Sequence, residues 1–273
     1  MRRATLNLLR CPRCRRGGLL TETDAPDIAF GPARCTQCQA SYPIAEGLLD
    51  VLGDRQPPGW AQQAFEQAWI ARAYEHRLRP LIQRVVARER MDPNSEYLLY
   101  RSLLGKPEGP ILDLACGTGL FARLLAREPD VPAAIGMDVS RPMLEEALAQ
   151  AREHGAAVDF IRAEAPELPF ANASIGAVLQ ARALYLFGDV NALFDEVARV
   201  LRPGGRYVAS TYLPPRFGAA LQRRVGLYPR SEADLRGAMT RAGLVQIERL
   251  LLSPSVVFKA EKPGASAAAA PGR

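Results

Sequence analysis

From residue 110 to residue 260, short apolar runs alternate with stretches of helical spacing, and this alternation narrows the fold more than any other feature of the chain. Pro110-Ile-Leu-Asp-Leu-Ala115 reads as a strand, Cys116-Gly-Thr-Gly119 as a glycine-rich turn and Leu120–Arg127 as a helix. Further strands follow at 133–138, 158–162 and 175–179, and a turn and strand at 203–210. Helices are expected over Arg141–His154, Asn191–Leu201 and Ser231–Ala242. Val245–Leu252 and Ser255–Ala260 read as a closing hairpin. Repeated strand–helix units imply an α/β fold with a parallel sheet covered on both faces. Ligands of such sheets sit at the carboxyl ends of the strands.

Ahead of this region, Cys11-Pro-Arg-Cys14 and Cys35-Thr-Gln-Cys38 give C-x2-C-x20-C-x2-C, the spacing of a zinc ribbon. Two tight knuckles bring four thiolates into one tetrahedral site. Two disulfides are the competing reading, and a reducing compartment disfavours them. No histidine lies nearby to suggest an open position, so the expected Zn2+ is structural and supplies folding energy that so small a segment lacks. Ser41–Leu52 follows as a strand-and-turn stretch, and Gly53–Gly59 as a linker.

Residues 60–79 carry Trp60, Ala64, Phe65, Ala68, Trp69 and Ala73 at helical spacing. Both tryptophans are expected in a core. Pro80 marks a break or a new helix start, residues 81–90 continue as an arginine-rich helix, and a further helix begins after Asp92-Pro93 and ends at Gly105. This helical section is expected to cover the active site. The last dozen residues, rich in alanine, read as a disordered tail.

The formal net charge is +6, yet only three of the 35 basic residues are lysines (Lys106, Lys259, Lys262), so 32 are arginines spread along the chain. That skew follows a GC-rich coding sequence more readily than a phosphate track. The exception is residues 1–20, with six arginines and no acid, which keeps an RNA partner open. No run of 18 apolar residues predicts a membrane span, and no segment reads as a signal peptide, so a cytoplasmic location is expected.

The turn Gly117-Thr-Gly119-Leu-Phe-Ala122 fits a loose dinucleotide pattern, with Asp138 about 20 residues on where a ribose-binding acid belongs. Asp113 separates the alternatives. A carboxylate four residues before Gly117 repels a pyrophosphate and favours a cationic, amino-acid-bearing ligand such as S-adenosylmethionine (SAM). Arg162-Ala-Glu-Ala-Pro-Glu-Leu-Pro-Phe170 and Val200-Leu-Arg-Pro-Gly-Gly205 point the same way.

With these residues in place, 109–211 resembles the class I SAM-dependent methyltransferases. The resemblance rests on Leu112-Asp-Leu-Ala-Cys-Gly-Thr-Gly119, Gly136-Met-Asp-Val-Ser140, Ala163-Glu-Ala-x-x-Leu-Pro-Phe170 and Arg199-Val-Leu-Arg-Pro-Gly-Gly205. It implies a Rossmann-like core of seven strands. It also implies that Ala115, Gly117, Thr118 and Gly119 cradle the methionine part of SAM, that Asp138 binds the ribose, and that Val139 and Met143 pack on the adenine. Glu164 and Ala165 fall at the adenine amine, where the family usually has Asp, and Gln180 falls near the methionine end. The ribbon and the later stretches Ala181-Arg-Ala-Leu-Tyr185 and Ala209-Ser-Thr-Tyr212 resemble a bacterial and plastid group related to the ubiquinone and menaquinone methyltransferases. A more distant likeness is to the ribosomal-RNA guanine methyltransferases, which also carry a ribbon. Tyr42-Pro-Ile-x-x-Gly47-Leu is similar to small zinc-ribbon proteins that partner methyltransferases.

The division expected is 1–53 ribbon, 54–108 helical cover, 109–260 methyltransferase core and 261–273 tail. After strand four there is no Asn/Asp-Pro-Pro-Tyr motif for exocyclic amines and no Pro-Cys nucleophile; Cys116 sits in the cofactor loop as a small buried residue. Arg182 and Tyr185, where acceptors dock in this fold, are candidate catalytic residues. His76, within the cover, is a candidate base, while His154 ends a surface helix. Residues 212–230 are expected to form a substrate loop. The leading function is methyl transfer to a small, partly apolar metabolite of the secondary-metabolism kind. The alternative is RNA base methylation with the ribbon gripping the backbone.

Overall fold

The computed structural model describes residues 1–55, 63–81, 91–212, 219–224, 226–252 and 255–265. Among the described residues, eleven strands form one sheet in the order β1-β2-β3-β4-β7-β6-β5-β8-β9-β11-β10. Their spans are β1 Leu19–Leu20, β2 Gly31–Cys35, β3 Ser41–Ala45, β4 Leu48–Asp50, β5 Ile111–Leu114, β6 Ala134–Asp138, β7 Val158–Arg162, β8 Ile175–Gln180, β9 Leu201–Tyr212, β10 Val245–Leu252 and β11 Ser255–Glu261. The last seven make the seven-stranded core that the resemblance implies. β5 to β9 run parallel, and the β10–β11 pair closes antiparallel on β9. Strand order reverses at β5, between β6 and β8, which places the ligand crevice beyond its carboxyl end.

β1 to β4 belong to the cysteine-bearing segment, and they do not stand apart. β4 pairs parallel with β7, Leu48 opposite Phe160 and Asp50 opposite Arg162. One buried apolar cluster runs from Leu6, Leu19, Ile28 and Leu49 through to Leu112, Ile135 and Ile161. The seam also buries charge. Arg162, 2% exposed, holds Asp50 at 3.1 Å and donates to the carbonyls of Val139 and Arg55. Asp159 accepts from the backbone and side chain of Arg2, each at 2.7 Å.

Helices cover the core where their apolar spacing demands it. Arg141–Glu153 buries Met143, Leu144, Ala147 and Ala151, and Val190–Val200 buries Leu193, Phe194 and Val197. Pro93–Leu104 starts as its sequence requires: Asp92 accepts from the N–H groups of Asn94 and Ser95, with Pro93 in the first turn.

The covering segment departs from the expected continuous helix. A turn at 65–66 precedes the helix Ala68–Ala73, which passes into a π turn at Tyr74–Leu78 and resumes through Pro80. Pro80 therefore breaks nothing. The wider π turn just ahead of it absorbs the missing donor and the ring. The turn at 65–66 resets the helical register, so Trp69 faces outward and is 65% exposed, against the expectation of a core residue. Trp60, residues 82–90, the substrate-loop residues 213–218 and the tail from 266 lie outside the described residues. The described part of that loop carries the helix Ala219–Arg224 and returns the Tyr228 N–H to the Tyr185 carbonyl at 2.6 Å. Among the described residues no helix is long and apolar enough to cross a membrane.

Candidate active site and cysteine cluster

Cys11, Cys14, Cys35 and Cys38 come together as expected, with all four sulfurs within 4.8 Å of one another. Cys11 lies 3.7 Å from Cys38, and Cys14 lies 3.6 Å from Cys35. These separations exclude disulfides. A zinc–sulfur bond of about 2.3 Å makes the edge of a tetrahedron about 3.8 Å, so the cluster has the dimensions of a four-thiolate metal site. The Gln37 and Cys38 N–H groups point at the Cys35 sulfur. The Tyr42 hydroxyl lies 3.3 Å from Cys11, a partner that cysteine spacing does not reveal. The basic patch around the cluster is largely spent on the protein itself. Arg2 pairs with Asp159, Arg10 with Glu196 and Arg15 with Glu167, while Arg3 donates to the Ala25 carbonyl.

The second site is a cleft at the carboxyl ends of β5, β6 and β8, enclosing about 1050 Å³ of space that is partly open to solvent. Its floor is the glycine turn. Asp138, at the end of β6, accepts from the Gly117 N–H at 2.8 Å and from the Ser140 N–H at 2.9 Å. The acid thus fixes both the turn and the start of the next helix. Ala115 and Arg182 both line the cleft with positive φ, at 59° and 57°, a conformation that costs side-chain-bearing residues energy and that clusters at functional sites. A side chain added at Gly117 would enter open space and meet only Tyr74, at 4.0 Å.

Of the expected cofactor residues, Ala115, Gly117, Asp138, Val139, Met143, Glu164 and Ala165 line the cleft. Asp113, Thr118, Gly119 and Gln180 lie behind it. Asp113 is buried and accepts from the Ala122 N–H at 3.0 Å; burial pushes its carboxyl up to about 7. Thr118 turns its hydroxyl to Glu75 at 2.9 Å. Gly119 packs against Phe160, where a Cβ would come within 3.0 Å. Gln180 is buried in β8 and accepts from the Tyr207 hydroxyl.

The cover closes the cleft from above. Phe65 and Tyr74 line it, edge to face at 5.7 Å between ring centroids. Glu75 holds Arg123 through both oxygens, at 2.7 and 2.9 Å. Of the candidate catalytic residues, Arg182 and Tyr185 line the cleft and His76 does not. His76 is exposed, two positions beyond the inward-facing Tyr74 on the same helix, and this turns it away from the pocket. Arg182 binds Glu96 and the Tyr212 hydroxyl, each at 2.6 Å. Burial opposes its charge, but Glu96 outweighs burial and keeps the guanidinium firmly protonated. Glu96 is buried and also holds Arg79 and the Tyr100 hydroxyl. Burial raises the Tyr185 and Tyr74 phenols above their ordinary range. Periodicity marked Phe65 only as a helix position and gave no sign of Tyr74 or of this ion cluster, whose Arg79, Glu96 and Arg182 come from three separate segments.

Comparison with known proteins agrees with this geometry. Residues 111–205 match the family described as Methyltransferase domain. An uncharacterized chloroplastic methyltransferase of Arabidopsis thaliana is 28% identical over 293 residues, covering 96% of this chain and 80% of that protein. The demethylmenaquinone methyltransferase of Thermus thermophilus is 39% identical over 116 residues, 42% of this chain and 53% of its own length. Among solved structures, the Haemonchus contortus phosphoethanolamine N-methyltransferase 2 in complex with SAM aligns with a TM-score of 0.56. That alignment has 19% identity and covers 62% of this chain and 52% of the other, a likeness of fold. Together with the geometry of the cleft, these findings support a class I SAM-dependent methyltransferase.

Proposed function

We propose that the enzyme methylates a small, partly apolar metabolite at oxygen, nitrogen or carbon. The observation that carries this reading is the wall of the cleft beyond the glycine turn. Phe65, Tyr74, Tyr185, Leu186 and Phe187 line the cleft together with Arg182, a wall that suits a compact ligand with one polar anchor. The name of the Thermus relative, a demethylmenaquinone methyltransferase, is in keeping with such an acceptor.

In this reading Asp138 receives the ribose hydroxyls, Val139 and Met143 pack on the adenine, and Glu164 with Ala165 lies at its edge. Buried Asp113 offsets the positive charge of the ligand from below. SAM supplies the methyl sulfonium. The chain supplies geometry, holding the acceptor lone pair about 3 Å from the methyl carbon and in line with it. Tyr74 and Tyr185, held neutral by burial, act as hydrogen-bond donors and walls; a base is needed only for an acceptor that keeps its proton. Arg182 anchors an electron-rich atom of the acceptor. The four cysteines hold Zn2+ as a structural ion.

Incubation with methyl-labelled SAM, against total RNA and a small-molecule cell extract in parallel, tests the reading. Label is expected in the small-molecule fraction. Label in RNA, lost steeply as salt rises, would overturn it in favour of RNA methylation. Asp138→Ala should weaken SAM binding at least about a hundredfold, since it removes the ribose acceptor and frees the Gly117 turn.

A further inference from the structure

Arg162 is the last residue of β7, and the pairing register sets it between two acids that end the neighbouring strands, Asp50 on β4 and Asp138 on β6. Its side chain is 2% exposed, so the guanidinium has to find its partners inside the protein. It finds them on two sides. Nη1 donates to the Asp50 carboxylate at 3.1 Å and to the Gly53 carbonyl, and Nη2 donates to the Arg55 carbonyl at 2.9 Å. All three lie within residues 50–55, where the cysteine-bearing segment leaves the sheet. Nε donates the other way, to the Val139 carbonyl at 3.0 Å. Val139 lines the cleft, and so do Ala163, Glu164 and Ala165, which follow Arg162 directly. The far anchor is itself rigid, since Asp50 accepts from the Leu52 and Gly53 N–H groups at 2.8 and 3.0 Å. A buried ion pair adds little net stability over an apolar pair of the same volume, so stability alone does not account for a guanidinium here. A planar fork with donors in fixed directions does account for it, because it sets the position of what it holds.

We infer that Arg162 is a positioning residue for the purine end of the bound cofactor: anchored on Asp50, Gly53 and Arg55, it fixes the Val139 carbonyl and with it the wall on which the purine packs. This role rests on the reading of the cleft as the SAM site. Arg162 touches no ligand and acts only through Val139 and the residues that follow β7. The cysteine-bearing segment thereby becomes part of what shapes the cofactor site, because three of the four oxygens that orient the guanidinium belong to its end and the turn after it.

The test is calorimetric titration of the full chain with S-adenosylhomocysteine, and with S-inosylhomocysteine, which lacks the purine amino group, read by displacement. Melting curves in parallel keep every variant below its transition. Arg162→Lys keeps a charge for Asp50 but not the fork that reaches Val139 and Arg55. It should weaken S-adenosylhomocysteine about tenfold and S-inosylhomocysteine less, so that the preference between the two purines narrows. Asp50→Asn keeps the acceptor for Leu52 and Gly53 and weakens the hold on Arg162, and should move both readouts the same way by about threefold. Asp159→Asn loosens Arg2 and Thr5 at the other end of β7, away from the cleft, and serves as the control. It should lower the melting temperature and leave the purine preference as it was. Unchanged affinity in both Arg162→Lys and Asp50→Asn, or a loss with the purine preference intact, would overturn the positioning role. Failure of the unaltered protein to bind S-adenosylhomocysteine would instead refute the cofactor reading of the cleft, and the positioning role with it.

Discussion

Two segments are attached to the same core in opposite ways. The cysteine-bearing segment joins it by backbone, through the β4–β7 ladder, a common apolar cluster and the buried Asp50–Arg162 pair. The leading part of the cover, residues 63–81, joins it by side chains: Glu75 to Arg123, the Ser140 hydroxyl to the Phe65 carbonyl, and Arg79 to the buried Glu96. A ladder and a shared core come apart only together, whereas side-chain contacts can be released one at a time. The contrast separates what builds this enzyme from what adjusts to its ligand.

The strongest way to break that contrast is to remove the zinc proposed for the four cysteines. Structural zinc in peptides of this kind contributes about 10–16 kcal/mol of apparent folding free energy. Cys14→Ser or chelation should therefore unfold the ribbon, and the β4–β7 seam should carry cofactor binding down with it. Circular dichroism and S-adenosylhomocysteine binding followed in one chelator titration should give coincident transitions. Cofactor binding that outlives the metal would show the seam to be separable.

Arg162→Met comes next. Asp50 keeps Arg141, so losing its buried partner should cost about 1.5–3 kcal/mol, read as a lower denaturant midpoint with an unchanged slope. An effect under about 1 kcal/mol would shift the weight of the seam to its apolar cluster.

A gentler probe is pH. The Asp113 carboxyl titrates near 7 in the folded protein against 3.8 ordinarily, so the folded state binds more protons than the unfolded chain between those values. Ligand-free stability should therefore fall as pH rises from about 4 to 7. The loss should be smaller in Asp113→Asn, as melting curves at pH 5 and pH 8 would show; equal losses would clear Asp113 of the effect.

Smallest of all, Trp69→Ala on the outer face of the cover should change stability by no more than about 0.5 kcal/mol, measured by urea titration. A larger cost would mean that Trp69 packs in solution and that the cover is held more firmly than its side-chain contacts suggest.

The sequence was most readable where chemistry fixes spacing. Four cysteines at ribbon spacing and an acid-bearing strand running into a glycine turn left few alternatives, and both are in place. It was least readable in the cover. There helical spacing placed Trp69 inside, because no local signal announces the turn at 65–66 that resets the register, and His76 stood only as a candidate base that the structure turns outward. Thr118 and Gly119 show a subtler limit. The motif gathers residues that line the cleft with residues that shape the turn, and only Phe160 and Glu75, distant in sequence, tell the two roles apart. The β4–β7 pairing was also out of reach, since a three-residue strand carries no mark of its partner.

That pairing bears on the order in which the molecule assembles. Contacts inside the ribbon join residues about 20 positions apart, as Cys14 and Cys35 do, whereas the bond from Arg162 to Asp50 spans 112 positions. Closing the longer loop costs more entropy, and parallel pairing at long range is slow. The ribbon is therefore expected to condense early around its thiolates, and the zipping of β4 onto β7 to come late, as the step that commits both halves to a single native state.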